Sequence, residues 1–177
     1  MPRYLRLRVP GGTYFFTVAL ADRRSGLLVR EVAALRAAMR GVMADMPTRV
    51  DAMVILPDHI HAVWTLPPGD DDFSTRWKRI KADFSKAIRR ADANPPPTTQ
   101  NRAVSPSAPA LRPGEAGVWQ RRFWEHLIRD ERDLAAHLAY CWGNPVRHGL
   151  VKRPVEWLHT SLHRDLRRGT APPEWGA

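Results

Sequence analysis

The stretch Val54-Ile55-Leu56-Pro57-Asp58-His59-Ile60-His61-Ala62-Val63-Trp64 restricts the fold more than any other part of this chain. It is an apolar, β-branched run broken once by Pro57-Asp58, which reads as a turn between two strands. The connection is short, so the strands at about 50–56 and 59–66 pair as an antiparallel hairpin. Side chains alternate faces along a strand. His59 and His61 therefore share one face, and Ile60, Ala62 and Trp64 take the other. One face offers two imidazoles at metal-chelating separation, and the other offers core. Two hydrogen-bonded histidines without a metal are the plainer reading of the same pattern.

The remaining pattern alternates strands with helices. Thr13 to Leu20 is β-branched and aromatic after Gly11-Gly12, and reads as a strand. Glu31 to Met46 spaces Val32, Leu35, Met39 and Val42-Met43 as a helix does, and Pro47 closes it. After the histidine hairpin, Pro67 to Asp72 is a loop. Phe73 to Ala91 carries Trp77, Ile80, Phe84 and Ile88 on one stripe. Asp70-Asp71-Asp72 fits a helix N-terminus, where the dipole favours acids, better than a metal cluster. Residues 94–117 are rich in Pro, Ala, Ser and Thr without periodicity, as a mobile insertion within one domain is. Val118 to Ile128 reads as a strand, and Arg132 to Trp142 as a helix ended by Gly143-Asn144-Pro145. From 146, and as a distinct segment over 152–177, the chain reads as a basic tail. The order β-α-β-β-α-β-α predicts an α+β, ferredoxin-like (RRM-like) sandwich with an antiparallel sheet. One helix is added, and it carries Tyr140.

Charge narrows the partners. The net charge is +10, and most of the cations are arginine, which binds phosphate bidentately and stacks on bases. Such a field attracts phosphate polymers with strong salt dependence. No apolar run approaches the roughly 20 residues of a spanning helix, and the N-terminus lacks the apolar stretch of a signal peptide. Cys141 is the sole cysteine, which excludes an internal disulfide and Cys-rich zinc sites and fits a cytoplasmic setting.

Tyr140 and Asn144 stand four residues apart, on one helical face. Two imidazoles, an amide and a phenol in a basic chain suit metal-assisted attack by tyrosine on a nucleic-acid phosphate. A divalent ion, Mg²⁺ or Mn²⁺, polarises the phosphate and stabilises the leaving oxygen. Tyrosine, with a free pKa of ~10, needs such activation. A tyrosyl phosphodiester conserves bond energy, so a cut strand can be rejoined. Each residue also has an ordinary reading: Tyr140 as packing, Asn144 as a helix cap, His137 as a surface histidine. Trp119-Gln120-Arg121-Arg122-Phe123-Trp124 fits a single-strand binding surface and a half-buried strand equally well.

Leu56-Pro57-Asp58-His59-Ile60-His61-Ala62-Val63-Trp64, the 119–126 segment and Tyr140-Cys141-Trp142-Gly143-Asn144-Pro145-Val146-Arg147-His148-Gly149 resemble the HUH single-strand transposases with one catalytic tyrosine. Gly11-Gly12-Thr13-Tyr14-Phe15-Phe16-Thr17-Val18 and Pro68-Gly69-Asp70-Asp71-Asp72-Phe73-Ser74-Thr75-Arg76-Trp77 resemble, within them, the REP-associated branch found in bacteria. The resemblance implies that His59 and His61 are metal ligands, Asn144 the third, and Tyr140 the nucleophile of a 5′-phosphotyrosine link. It implies as substrate single-stranded DNA with a REP hairpin and a tetranucleotide at its foot. It implies a monomer or weak dimer acting in the bacterial cytoplasm at the nucleoid. Two features depart from the family pattern: the 94–117 insertion, and Gly143, which weakens a helix by about 0.5–1 kcal/mol relative to alanine.

Two rivals remain on sequence grounds: a hairpin-binding protein with little or no catalysis, and an RNA endonuclease using the histidines as acid and base. For DNA contact the expected residues are Arg3, Arg6, Arg8, Arg121, Arg122, Arg164, Arg167 and Arg168.

Overall fold

The computed structural model describes residues 7–93 and 117–176. Among them four strands form one antiparallel sheet: β1 (Thr13–Ala19), β2 (Arg49–Ile55), β3 (His59–Thr65) and β4 (Trp124–Leu127), in the order β2-β3-β1-β4. Five helices join them: α1 (Leu27–Arg30), α2 (Val32–Asp45), α3 (Phe73–Ala93), α4 (Glu131–Arg147) and α5 (Leu162–Arg167). This is the ferredoxin-like arrangement expected from the element order. Most of the 94–117 stretch, together with Arg3 and Arg6, lies outside the described residues.

The alternation read in the strands sorts the two sheet faces. Tyr14, Phe16, Val18, Ile60, Ala62 and Trp64 point to the side covered by α1, α2 and α3, with Leu35, Val42, Phe73, Trp77 and Phe84. There Trp64 and Trp77 stack 4.2 Å apart, nearly parallel. Phe15, Ala52, Val54 and Val63 point to the opposite side, under Leu134, Leu138 and Cys141 of α4. The sheet is thus covered on one face by three helices and over the β2–β3 side of the other by α4.

The three aspartates each have a structural task. Asp70 grips the buried Arg76 through two oxygens, at 2.6 and 3.1 Å, and the same guanidinium donates to the carbonyls of Met46, Pro47 and Asp72. Asp72 caps the first turn of α3 by accepting from Thr75 N–H, and Asp71 pairs with Arg8. The helix-terminus reading of the triplet holds.

Two expected boundaries are corrected. The strand expected over 118–128 shrinks to Trp124–Leu127, because Trp119 turns into the core and donates its indole N–H to the Lys81 carbonyl at 3.1 Å. The helix expected to stop at Trp142 runs on to Arg147, through Gly143 and Pro145. Tertiary packing overrides both breakers. Pro145 is buried, and a Cβ on Gly143 would stand 3.4 Å from the Trp175 ring, so the glycine leaves a seat for that indole.

Residues 152–176 pack firmly. Ile55 N–H donates to His159 O and Ser161 N–H to Met53 O, so the segment pairs along the outer edge of β2 and covers it. Trp157 donates its indole N–H to Ile55 O. Asp165, buried, ties this segment to α4: its carboxylate accepts from Ser161 Oγ, Trp142 Nε1 and Arg164 Nε. Asp165→Asn removes the charge and leaves Arg164 poorly paired. It is expected to cost about 3 kcal/mol, read as a lowered midpoint in denaturant unfolding with unchanged slope.

Candidate active site

His59 and His61 lie side by side on the α4 face, both almost fully buried, with ring centroids 4.7 Å apart. Each is oriented through Nδ1. His59 Nδ1 donates to Asp58 Oδ1 at 2.7 Å, and Arg23 closes the far side of that carboxylate at 2.5 Å. His61 Nδ1 lies 2.9 Å from Thr17 Oγ1. The carboxylate places the His59 proton on Nδ1, and with Nδ1 of each ring engaged, Nε2 is the nitrogen left for the site.

Burial sets the protonation state. Desolvation takes the His61 imidazole down to about 3, helped by the neighbouring His59 and His148. Burial also lowers His59, against the raising effect of Asp58. Burial works to raise Asp58, but the hydrogen bond from His59 and the charges of His59 and Arg23 outweigh it, and the carboxyl ends below its usual range. Both rings are therefore neutral near pH 7, as metal ligands must be.

α4 brings the other partners over this face. Asp130 caps it by accepting from Asp133 N–H. Tyr140 stands with its ring 5.1 Å from His61 and 5.7 Å from Phe15, and it is partly exposed. The Arg147 guanidinium lies 5.5 Å from the centroid of the tyrosine ring. Two turns beyond Tyr140, His148 meets His59 at 5.1 Å. Asn144 lies between these two contacts on the same face, because all three are spaced by four.

The four residues expected at the site are thus together, and their polar atoms suit a metal. Asn144 is fully buried, and among the described residues its Oδ1 and Nδ2 have no hydrogen-bond partner; neither does His61 Nε2. Orphaned buried polar atoms are costly, so a group that satisfies them is expected there. Two imidazole nitrogens and an amide oxygen fit a divalent cation and leave positions open for substrate oxygens. A second cluster, His126, Asp133 and His137, has ligand atoms within 4.8 Å of one another. Its groups already bond each other: His126 Nε2 lies 2.8 Å from Asp133 Oδ2, and His137 Nδ1 lies 3.0 Å from Asp133 Oδ1.

The arginines divide by setting. Arg121 and Arg122 are exposed, just before β4. Gln120 N–H donates to Ala19 O, and Ala19 pairs with His59, so these arginines leave the sheet at its His59 end. Arg167 and Arg168 are exposed at the end of α5. Arg8 is partly exposed beside Asp71 and 5.8 Å from the Phe73 ring centre. Arg164 is spent internally, on Asp165 and the Asp51 carbonyl at 3.1 Å, and braces the C-terminal segment. Sequence reasoning missed His148, Arg23 and the orienting roles of Asp58 and Thr17. Extending the Tyr140–Asn144 spacing by one more turn reaches His148; no comparable signal marks Thr17, which meets His61 only through strand register.

No family model matches the chain. The REP-associated tyrosine transposase of Escherichia coli (strain K12) is 41% identical over 175 residues, covering 99% of this chain and 91% of that protein. A protein of Haemophilus influenzae (strain ATCC 51907 / DSM 11121 / KW20 / Rd) carrying the same family name is 38% identical over 176 residues, 99% of this chain and 94% of its own. A solved REP-associated tyrosine transposase bound to a REP hairpin superposes with a TM-score of 0.79 at 41% identity, over 97% of this chain and 89% of that one.

The buried His61 gives the fold a pH signature. Between its ordinary 6.5 and about 3, the unfolded chain binds a proton there that the folded chain does not. Stability is therefore complete above pH 6.5 and is lost on acidification. From pH 7 to 4 this one group is expected to remove about 3 kcal/mol, measured by guanidinium unfolding. His61→Asn is expected to lose less over the same interval.

Proposed function

Because the chain belongs to the REP-associated tyrosine transposases, we propose that it cuts and rejoins single-stranded DNA at REP hairpins through Tyr140. The observation that carries this reading is the convergence of Tyr140, two neutral imidazoles and an unsatisfied buried amide on one sheet face. The hairpin as ligand rests on the relative solved with one, whose fold this chain shares along nearly its whole length.

The phenolic oxygen of Tyr140 attacks the scissile phosphorus in line with the departing 3′ oxygen. A bond forms from Tyr140 to phosphorus, and the P–O3′ bond breaks. The 3′ oxygen takes a proton and leaves as a hydroxyl, and the phenolic proton passes to solvent. The DNA beyond the cut stays on the enzyme by its 5′ phosphate, so attack by another 3′ hydroxyl reverses the step and joins strands. His59, His61 and Asn144 would hold Mg²⁺ or Mn²⁺, which when bound neutralises phosphate charge and stabilises the leaving oxygen. Asp58 and Thr17 fix the two rings so that Nε2 faces inward. Arg147, over the tyrosine ring, supplies a cation for the incoming phosphate. Arg8, Arg121, Arg122, Arg167 and Arg168 supply phosphate contacts along the strand, with Arg3 and Arg6 as the matching basic leader. Among the described residues no helix is long and apolar enough to cross a membrane. The chain works on DNA in the cytoplasm, as a monomer or weak dimer.

The test uses labelled single-stranded DNA bearing a REP hairpin, with Mn²⁺ or Mg²⁺, on a denaturing protein gel. Wild-type protein is expected to form a covalent adduct that EDTA abolishes. Tyr140→Phe is expected to lower adduct formation by at least about 10³-fold while hairpin affinity stays within about threefold. Hairpin binding by wild type with no adduct in either metal would replace this reading with a binding-only one.

A further inference from the structure

A slot of about 460 Å³ opens beside Tyr140, lined by Phe15, Thr17, Trp124, Ala136, His137 and Tyr140 itself. We infer that this slot holds the unpaired nucleobase immediately 3′ of the cut phosphate, stacked on the Trp124 indole; the inference rests on the proposed tyrosine chemistry.

Trp124 is the first reason. Trp64, Trp77, Trp119 and Trp142 are buried at 3% exposure or less, whereas Trp124 keeps 50% of its surface open. An exposed indole at the mouth of a concavity is poorly explained by folding and well explained by a planar ligand. It is also held in place. Its ring lies nearly parallel to His126 at 6.0 Å and edge-on to Phe15 at 5.7 Å. His126 in turn is fixed by Asp133, which also accepts from Arg129 N–H. Asp133 also holds His137, which lines the slot, so one carboxylate braces both the wall of the slot and the ring beside Trp124.

Strand register is the second reason. Val54, His61, Thr17 and Trp124 are paired neighbours in one row across β2, β3, β1 and β4. Trp124 therefore stands two strand spacings, about 9.5 Å, from His61 on the same face. Tyr140 rises over His61 and Phe15, with the histidines to one side and Trp124 to the other. In the cleavage step the departing 3′ oxygen and its nucleotide lie toward the histidines. The nucleotide retained through O5′ has to leave by a different side, and the opening toward Thr17 and Trp124 is there to receive it.

Charge is the third reason. Arg121 and Arg122 precede Trp124 by three and two residues and are exposed. They supply cations for the phosphates of a strand whose base lies on the indole, the pairing of basic groove and aromatic platform that single-strand binders use. A base paired in a duplex cannot stack there, so the slot selects the unpaired flank over the hairpin stem.

The test uses oligonucleotides carrying a REP hairpin with 2-aminopurine placed singly at each of three positions either side of the cut that wild-type protein makes. They are bound to uncleaving Tyr140→Phe protein. Quenching is expected to be strongest at the first nucleotide 3′ of the cut. Adding Trp124→Ala should bring it to the level of its neighbours and weaken flank binding about 5- to 100-fold, whereas Trp124→Phe should keep most of both. Strongest quenching on the 5′ side, or quenching indifferent to Trp124→Ala in a variant whose thermal midpoint is unchanged, would overturn the inference. If wild-type protein binds the hairpin without cutting, the catalytic reading fails on its own. In that case the whole flank is scanned: a Trp124-dependent quench at a single position sustains the base slot, and its absence overturns it.

Discussion

Everything at the site depends on α4 lying across the sheet face that carries His59 and His61. Without that cover the two imidazoles would be solvated, would titrate near neutrality and would lose their fixed orientation. With it, desolvation keeps them uncharged, Asp58 fixes the tautomer of His59, Thr17 holds the His61 ring, and Tyr140 and Asn144 arrive from above. A low-dielectric pocket also strengthens whatever charge–charge contact forms inside it. The cost is an unsatisfied amide and an unsatisfied ring nitrogen in the interior. Such a cost is expected where a ligand completes the structure.

The position of α4 depends in turn on the C-terminal segment. Asp165 receives the indole N–H of Trp142, and Trp175 sits against Gly143, so the segment grips the helix one turn from the nucleophile and beside the amide. The same segment pairs along β2 and closes the sheet edge. A region that reads as a basic tail is therefore part of the scaffold, and its exposed arginines, Arg167 and Arg168, are presented from a fixed position.

Much of this was legible in the residues. The period-two pattern identified three strands and put both histidines on one face, because that alternation is geometric and needs no tertiary information. The four-residue spacing of Tyr140 and Asn144 was legible for the same reason. What failed was local propensity opposed by packing. Gly143-Asn144-Pro145 reads as a helix end, yet the helix continues because a buried proline and a docked indole favour it. Trp119 and Trp124 occupy similar sequence surroundings, and only the fold decides that one fills the core while the other faces solvent. Arg164 could not be separated from Arg167 and Arg168 by charge alone; its partner is Asp165, the very next residue, and its brace is a carbonyl 113 residues away. Thr17 joins the site by strand register, which sequence spacing does not reveal.

The most direct measurement of the central claim is anomalous diffraction from crystals of the full chain soaked in Mn²⁺. The account predicts a manganese peak at coordination distance from His59 Nε2, His61 Nε2 and Asn144 Oδ1, beneath the Tyr140 ring. Manganese bound instead at His126, Asp133 and His137, or absent from the histidine row at saturating concentration, would contradict it.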